Sequence, residues 1–356
     1  MATYGVHRGS ISYKKLDTSK QEFRLLEIRP AASVEDRIEA RLVTVRLKDE
    51  PEFIALSSLY GSPSESENVI VNGRPITITL HLAQALRHIR TVLFPGSARN
   101  GDERLPPKRQ QRRPPFWLRQ LMKGVSSILP NPEAEKDVPL RVWLDVICVN
   151  QYDEVERSRQ VQDMRQIYTA AQMTVGWLGM KTEHTEAGLE ILIDIDRCMP
   201  PRWGDPGDRE EHPENYSPKH AWFQKVDYIW KDVEANTESQ LPSCWQGSND
   251  LMNRPYFARR WILEEIARAR YPAFLVGDTI LSWRTILRLH RMLEEVKYAD
   301  SENFPKKHQH LVPTLPIEAV QALLDDFARR SAMEDTQALD NSTSSQEGKS
   351  ATSSLH

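Results

Sequence analysis

Apolar and polar positions follow two periods along this chain, and the clearest change of period lies in Arg141–Gly179. Val142–Val149 is an apolar run rich in β-branched residues, with Asp145 as its one interruption. That composition suits a strand covered on both faces. Asp153 and Glu156 then form an Asp-x-x-Glu capping box, which predicts a helix over about Glu154–Ala171. Val161, Met164, Tyr168 and Ala171 recur at helical spacing as its buried stripe, and Arg157, four residues before Val161, extends it. Met173–Leu178 is a second strand, closed by Gly179. Strand, crossover helix and strand predict two neighbouring parallel strands with a right-handed connection.

Weaker patterns fill in the rest. Phe23–Ile28 and Arg41–Leu47 read as a hairpin at the sheet edge, and Phe53–Ser57 as a short strand running into the turn Tyr60-Gly61-Ser62-Pro63. Asn72-Gly73 is a hairpin signal before the alternating Ile76 and Ile78. From Thr79 the period changes, and Leu82, Leu86, Ile89 and Leu93 mark an amphipathic helix. Asn253-Arg254-Pro255 is a favourable helix start, after which Phe257, Trp261 and Glu265 share one face. Pro272–Trp283 reads as a strand pair around Gly277-Asp278, and Ile317, Val320, Leu324 and Phe327 suggest a last helix. These elements predict an α/β fold with a central, mostly parallel sheet flanked by helices. The main domain spans about 23–290 after an N-terminal segment 1–22. It carries an insertion at 95–139 and a Pro- and Gly-rich loop at 199–220, and is followed by a helical extension 291–334 and a disordered tail 335–356.

Composition removes several function classes. A net charge of -3 gives no global case for nucleic acid or membrane binding. Cys148, Cys198 and Cys244 are far apart and lack metal-ligand spacing, so no metal is expected. No apolar run approaches membrane-spanning length and no signal segment is recognisable, which predicts a soluble, cytoplasmic protein. The insertion is different. Lys108, Arg109, Arg112 and Arg113 stand between prolines, and Phe116–Leu129 follows with an apolar helical stripe. That arrangement fits an insertion helix packed on the domain, weak contact of 108–129 with an anionic membrane, or a nuclear-import patch.

Candidate chemistry gathers at the strand-to-helix crossover, where Asp145, Asn150, Gln151, Arg157 and Gln160 lie. Ligands of open α/β sheets bind outside the carboxyl ends of strands, which is where Asn150 and Gln151 belong. The same residues also fit an internal Arg–Asp or Arg–carbonyl pair that only fixes the loop. Glu265 continues an aromatic stripe, so its carboxylate is expected to be partly desolvated. Glu264, between Arg260 and Arg268, reads as a surface ion pair.

The run Trp143-Leu144-Asp145-Val146-Ile147-Cys148-Val149-Asn150-Gln151, followed by Glu156-Arg157, Gln160-Val161, Met164, Ile167-Tyr168 and Ala171, resembles the fungal heterokaryon-incompatibility (HET) domain. Ala55-Leu56-Ser57-Ser58-Leu59-Tyr60-Gly61 is similar to that family's "A-L-S-Y-x-W-G", with Ser58 and Tyr60 as departures. Arg254-Pro255-Tyr256-Phe257 through Trp261 and Glu265 is similar to its "R-P-W-F-x-R-x-W-x-x-Q-E", with Glu264 in place of Gln. The resemblance covers roughly 23–283. It implies a TIR- or flavodoxin-like core and a role in fungal non-self recognition and programmed cell death, through self-association or another incompatibility protein. No cofactor is required. A remote likeness to TIR domains, in which a Trp precedes the glutamate needed for NAD cleavage by four residues, implies a second role. In that role NAD is a substrate, Glu265 is the catalytic carboxylate, and Ser57, Tyr60, Gly61, Asp145, Asn150, Gln151, Arg157, Gln160 and Trp261 line the ligand cleft. A membrane or nucleic-acid module built on the basic insertion is a third reading.

Overall fold

Short turns force antiparallel pairing, and three hairpins flank a parallel centre. A computed structural model describes residues 11–93, 140–204, 207–217, 219–226, 243–259, 265–266 and 268–298. Among these residues nine strands occur: β1 (Glu22–Ile28), β2 (Glu39–Arg46), β3 (Ile54–Ser58), β4 (Ser66–Val71), β5 (Arg74–Thr79), β6 (Leu140–Trp143), β7 (Met173–Gly179), β8 (Pro272–Val276) and β9 (Thr279–Ser282). They form one sheet in the order β5-β4-β2-β1-β6-β3-β7-β8-β9. The stretch β6-β3-β7-β8 is parallel, whereas β1–β2, β1–β6, β4–β5 and β8–β9 are antiparallel. The sheet is therefore mixed rather than mostly parallel: the β4–β5 and β8–β9 turns reverse the chain at once, the longer 29–38 loop folds β2 back on β1, and β1 runs antiparallel to β6. Asn72 and Gly73 both take left-handed φ, 51° and 74°, as the β4–β5 turn requires.

Eight helices accompany the sheet among the described residues: α1 (Leu80–Leu93), α2 (Asp145–Cys148), α3 (Glu154–Ala170), α4 (Thr185–Cys198), α5 (Asp208–Glu211), α6 (Ala221–Lys225), α7 (Ser243–Met252) and α8 (Trp283–Tyr298). Alternate residues of β8 feed two separate cores: Ala273 and Leu275 join that of α1 and α3, while Phe274 and Val276 join that of α4 and α8. Both faces of the central strands are thus covered, as parallel strands need.

Several sequence expectations change. The run from Val142 does not stay extended to Val149: β6 ends at Trp143, and a helical turn over Asp145–Cys148 follows. Asp145 accepts a hydrogen bond from the Val146 N–H (2.7 Å), and the Leu144 carbonyl accepts from Ile147 and Cys148. Asp competes with a ladder for its neighbours' backbone groups in this way. β6 and β7 point the same way, but β3 lies between them, so they are not neighbours. The β1–β2 hairpin is interior, because β4 and β5 extend the sheet beyond it. Helix α3 starts as expected, with Asp153 accepting from the Glu156 N–H. Its buried residues are Gln160, Ile167 and Tyr168, and Val161 is 48% exposed. No continuous helix runs from Pro255 to Glu265, since a 3-10 turn over Pro255–Ala258 ends at Arg259 with extended backbone (φ -77°, ψ 132°). The basic run Lys108–Arg113, the segment Phe116–Leu129, Trp261, Glu264, the last helix near Ile317 and the tail lie outside the described residues.

Two ion pairs anchor the loops around the sheet. Buried Arg24 on β1 meets Glu156 (2.6 Å) and donates to the carbonyls of Cys148 and Lys14, so one guanidinium joins the strand, the α2 turn and the N-terminal segment. Arg254 pairs with Asp250 (2.5 Å) and donates to the carbonyls of Leu178 and Met180, latching the end of α7 to the end of β7. Helices α4 and α7 meet through glycines. A Cβ on Gly188 would lie 2.5 Å from the Gly247 carbonyl carbon, and one on Gly247 would lie 2.2 Å from the His184 carbonyl oxygen.

Two outcomes follow from this packing. Gly247→Ala meets backbone that cannot swing aside, so urea denaturation should show a loss of about 1–3 kcal/mol. The second concerns pH. His88 stacks on Trp177 (5.5 Å between ring centroids), and its pKa is held below the ordinary histidine value, chiefly by burial. His81 is held down by burial and by Arg254. A histidine whose folded pKa is depressed contributes stability that is whole above the unfolded value of about 6.5 and is lost as pH falls through the folded one. His88→Phe keeps the ring contact, so its stability should fall less than that of wild type on acidification below about 6.5. Equal slopes would exclude His88 as a source of the pH dependence.

Candidate functional site

Ser57, near the carboxyl end of β3, faces Gly176 on β7 in the strand register. Gly176 leaves the space that the Tyr256 hydroxyl occupies; a Cβ there would lie 2.6 Å from that oxygen. A glycine in mid-strand commonly marks such a close approach. Tyr256 sits on the Pro255–Ala258 turn, held edge-on against Phe257 and Phe274, and its hydroxyl is 2.7 Å from Ser57 Oγ. The extended backbone at Arg259 then sends that side chain back towards Glu265.

Arg259 grips Glu265 with two parallel bonds, Nη2 to Oε1 at 3.0 Å and Nη1 to Oε2 at 3.1 Å. Ser57 Oγ donates to Glu265 Oε2 and accepts from Arg259 Nη1 (3.2 Å). A hydroxyl has one donor and two acceptor positions, so Ser57 is fully used by Glu265, Arg259 and Tyr256. Glu265 is 3% exposed. Burial pushes its carboxyl above the ordinary value, against the pull of Arg259 and Ser57. For Arg259 burial acts downward, but Glu265 and the surrounding acidic groups outweigh it and hold the guanidinium above its ordinary value. Bidentate pairing of this kind fixes geometry as well as charge.

Asp145 and Tyr168 complete the cluster. Burial raises the Asp145 carboxyl, Arg259 opposes, and the Asp145 charge in turn raises Glu265. Protein surrounds Asp145 closely, yet part of the residue stays open to solvent. Tyr168 is buried edge-on against Trp143 (5.2 Å between centroids), and burial followed by the Glu265 and Asp145 charges drives its hydroxyl pKa well up.

Of the residues expected to line a cleft, the structure therefore brings Ser57, Asp145 and Glu265 together. Gln151 adjoins them, donating to the Asp145 carbonyl (3.0 Å). Tyr60 is partly buried beside the same edge, and Gly61 makes the turn after β3 with φ +82°, close against His81. Asn150 turns the loop, its side chain accepting from the Tyr152 N–H and its own N–H donating to Glu156. Arg157 is not buried in the cluster; its guanidinium lies 3.9 Å from the exposed carboxylate of Glu154. Gln160 is buried on the Arg24 side, donating to the Glu22 carbonyl. Both differ for one reason: the buried face of α3 is centred on Ile167 and Tyr168 rather than on Val161. Sequence reasoning missed Arg259, Tyr256 as a polar partner, and Gly176. The available signals were the unpaired acid Glu265 within reach of an arginine and a glycine in the middle of an apolar strand. Among the described residues, no group of three or more His, Cys, Asp or Glu side chains is arranged to hold a metal ion.

A family model described as heterokaryon incompatibility protein (HET) matches residues 132–265, a span that holds Asp145, Glu156, Tyr256, Arg259 and Glu265. The chain is also similar to heterokaryon incompatibility protein 6, OR allele, of Neurospora crassa, 23% identical over 282 residues. That alignment covers 77% of this chain and 36% of the other protein, so the chain spans about a third of the length of the curated relative it matches. No solved structure matches the chain. The Trp143–Gln151 run, the Glu156 cap and the Arg254–Glu265 segment all lie inside the matched span, so it is over residues 132–265 that the chain is similar to the HET family.

Proposed function

We propose that this chain is a signalling domain of fungal non-self recognition, acting in the cytoplasm by self-association to trigger cell death. The name of the Neurospora crassa relative supports the biological setting. The closed state of Glu265 supports a non-catalytic mode of action: Arg259 engages both carboxylate oxygens and Ser57 also bonds to Oε2, at 3% exposure. A carboxylate that stabilises a cationic sugar must present an oxygen to it, and this one is already spent. The buried network acts instead as a tie between β3 and the segment after α7.

A second reading, a TIR-like NAD glycohydrolase, has one observation in its favour. Asp145 and Glu265 are both raised above ordinary carboxyl values within one cluster, and such perturbed groups gather at functional sites. In that reading Arg259 must release Glu265 before the reaction.

Inducible expression in a fungal host separates the two. The signalling reading expects growth arrest with cellular NAD unchanged and no nicotinamide released by the purified chain. NAD loss in the host, together with nicotinamide released from NAD by the purified wild-type chain, would overturn it in favour of the glycohydrolase. Stability gives an independent measure. Glu265→Gln leaves the partly buried Arg259 without its charge partner and should cost about 2–4 kcal/mol in urea denaturation. Ser57→Ala should cost about 1–3 kcal/mol. Arg259→Gln combined with Glu265→Gln should cost clearly less than the two separate losses added together, since both remove one interaction.

A further inference from the structure

Strand β4 begins at Ser66, but its ladder with β2 holds only the pairs Glu39↔Ile70 and Ala40↔Val71. The Ile70 N–H donates to the Ile38 carbonyl (2.9 Å) and the Asn72 N–H to that of Ala40 (3.0 Å). Backbone groups alternate sides along a strand, so the N–H and C=O of Ser66 and Asn68 point the same way as those of Ile70. Among the described residues no strand meets them there. The cause is Arg90 on α1. Its buried guanidinium holds the carbonyls of Arg37 (3.1 Å), Asp36 (2.7 Å) and Ser33 (3.3 Å), while the Asp36 carboxylate accepts from the Ser33 N–H (2.8 Å). The chain before β2 is thereby turned aside instead of continuing along β4.

Between that loop, the unpaired half of β4 and α1 lies a cleft of about 660 Å³. Its described lining is polar throughout, unlike the mostly apolar walls of small-molecule pockets. Glu67 is spent on Arg87, whereas Glu35 and Arg37 are exposed and neither side chain enters a hydrogen bond or ion pair. An occupant that completes the cleft must offer backbone donors and acceptors in a line, an acid for Arg37 and a base for Glu35.

We propose that this cleft binds a short extended peptide carrying both an acidic and a basic side chain, which pairs with Ser66 and Asn68 as an added strand. Strand addition takes its affinity from main-chain bonds and its selectivity from side-chain contacts. The Ile38–Ile70 bond closes one end of the cleft, so about three or four residues pair, at roughly 3.3 Å each. Both charge contacts are exposed, so they contribute little and weaken as salt rises. Nothing in the pairing uses Glu265, so it goes beyond both readings of that carboxylate.

The test is amide hydrogen exchange on the full chain with capped pentapeptides. The mixed probes Thr-Glu-Thr-Lys-Thr and Thr-Lys-Thr-Glu-Thr are compared with Thr-Glu-Thr-Glu-Thr and Thr-Lys-Thr-Lys-Thr. At least one mixed probe should slow exchange at Ser66 and Asn68 and bind about three- to fivefold tighter than either single-sign probe. Arg37→Glu, checked for folding by circular dichroism, should move the preference to the two-lysine probe. N-methylation of the better mixed probe along one edge should weaken binding about tenfold, and along the other edge leave it unchanged. No binding of any probe at millimolar concentration, or equal binding of all four, would overturn the proposal. A preference that Arg37→Glu does not move would remove the cleft as its site. Both N-methylated probes binding as well as their parent would overturn the strand pairing, and equal protection by free glutamate and lysine would make the occupant a small molecule instead.

Discussion

A carboxylate withdrawn from water needs donors inside the protein, and Glu265 obtains them from Arg259 and Ser57. The rest of the carboxyl edge is arranged around that requirement. Ser57 can reach Glu265 only because β3 ends beside β7. Tyr256 can support Ser57 only because β7 carries no side chain at Gly176. Arg259 can turn back only because the 3-10 turn before it stops. One unpaired member would leave a buried charge, which is more costly than any of the hydrogen bonds it makes.

Arg24 and Glu156 repeat the principle two strands away, at the α2 turn that follows β6. Glu156 begins α3, accepts from Asn150 N–H, and is met by a guanidinium that also holds the carbonyls of Cys148 and Lys14. Residues that look like site chemistry in one dimension thus serve to pin loops in three. Arg24, Arg254 and Arg259 are each spent on joining pieces of chain that lie apart in sequence. Asp145 and Arg259 are the members of the cluster that stay partly open to solvent.

How much of this could be read from the sequence depended on the distance over which each cause acts. The β4–β5 turn, the α3 cap and the β8–β9 hairpin follow from residues within a few positions of one another, and Asn72-Gly73, Asp153 and Gly277-Asp278 announced them. The grouping of Ser57 with Asp145 and Glu265 was legible through the family-like blocks and the burial expected of Glu265. Strand order was not, because nothing local shows that β3 inserts between β6 and β7. The early end of β6 was hidden by apolar residues that suit a strand and a buried helical turn equally well. Arg24 and Arg259 were missed because their partners lie on other elements or beyond a break in a helix, where spacing carries no signal.

The pairing of Gly176 with Tyr256 limits the order in which this cluster can change over evolutionary time. Any side chain at position 176 collides with the phenol oxygen, so substitution there is closed while Tyr256 remains. Loss of the tyrosine to a smaller residue is tolerable first, at the cost of the bond to Ser57, and only then can position 176 grow, with Phe274, 3.0 Å from a Cβ there, giving way as well. Once a larger residue has settled there, the tyrosine cannot return. The two sites therefore behave as a ratchet, and chains on either side of it will accept different sets of neighbouring mutations.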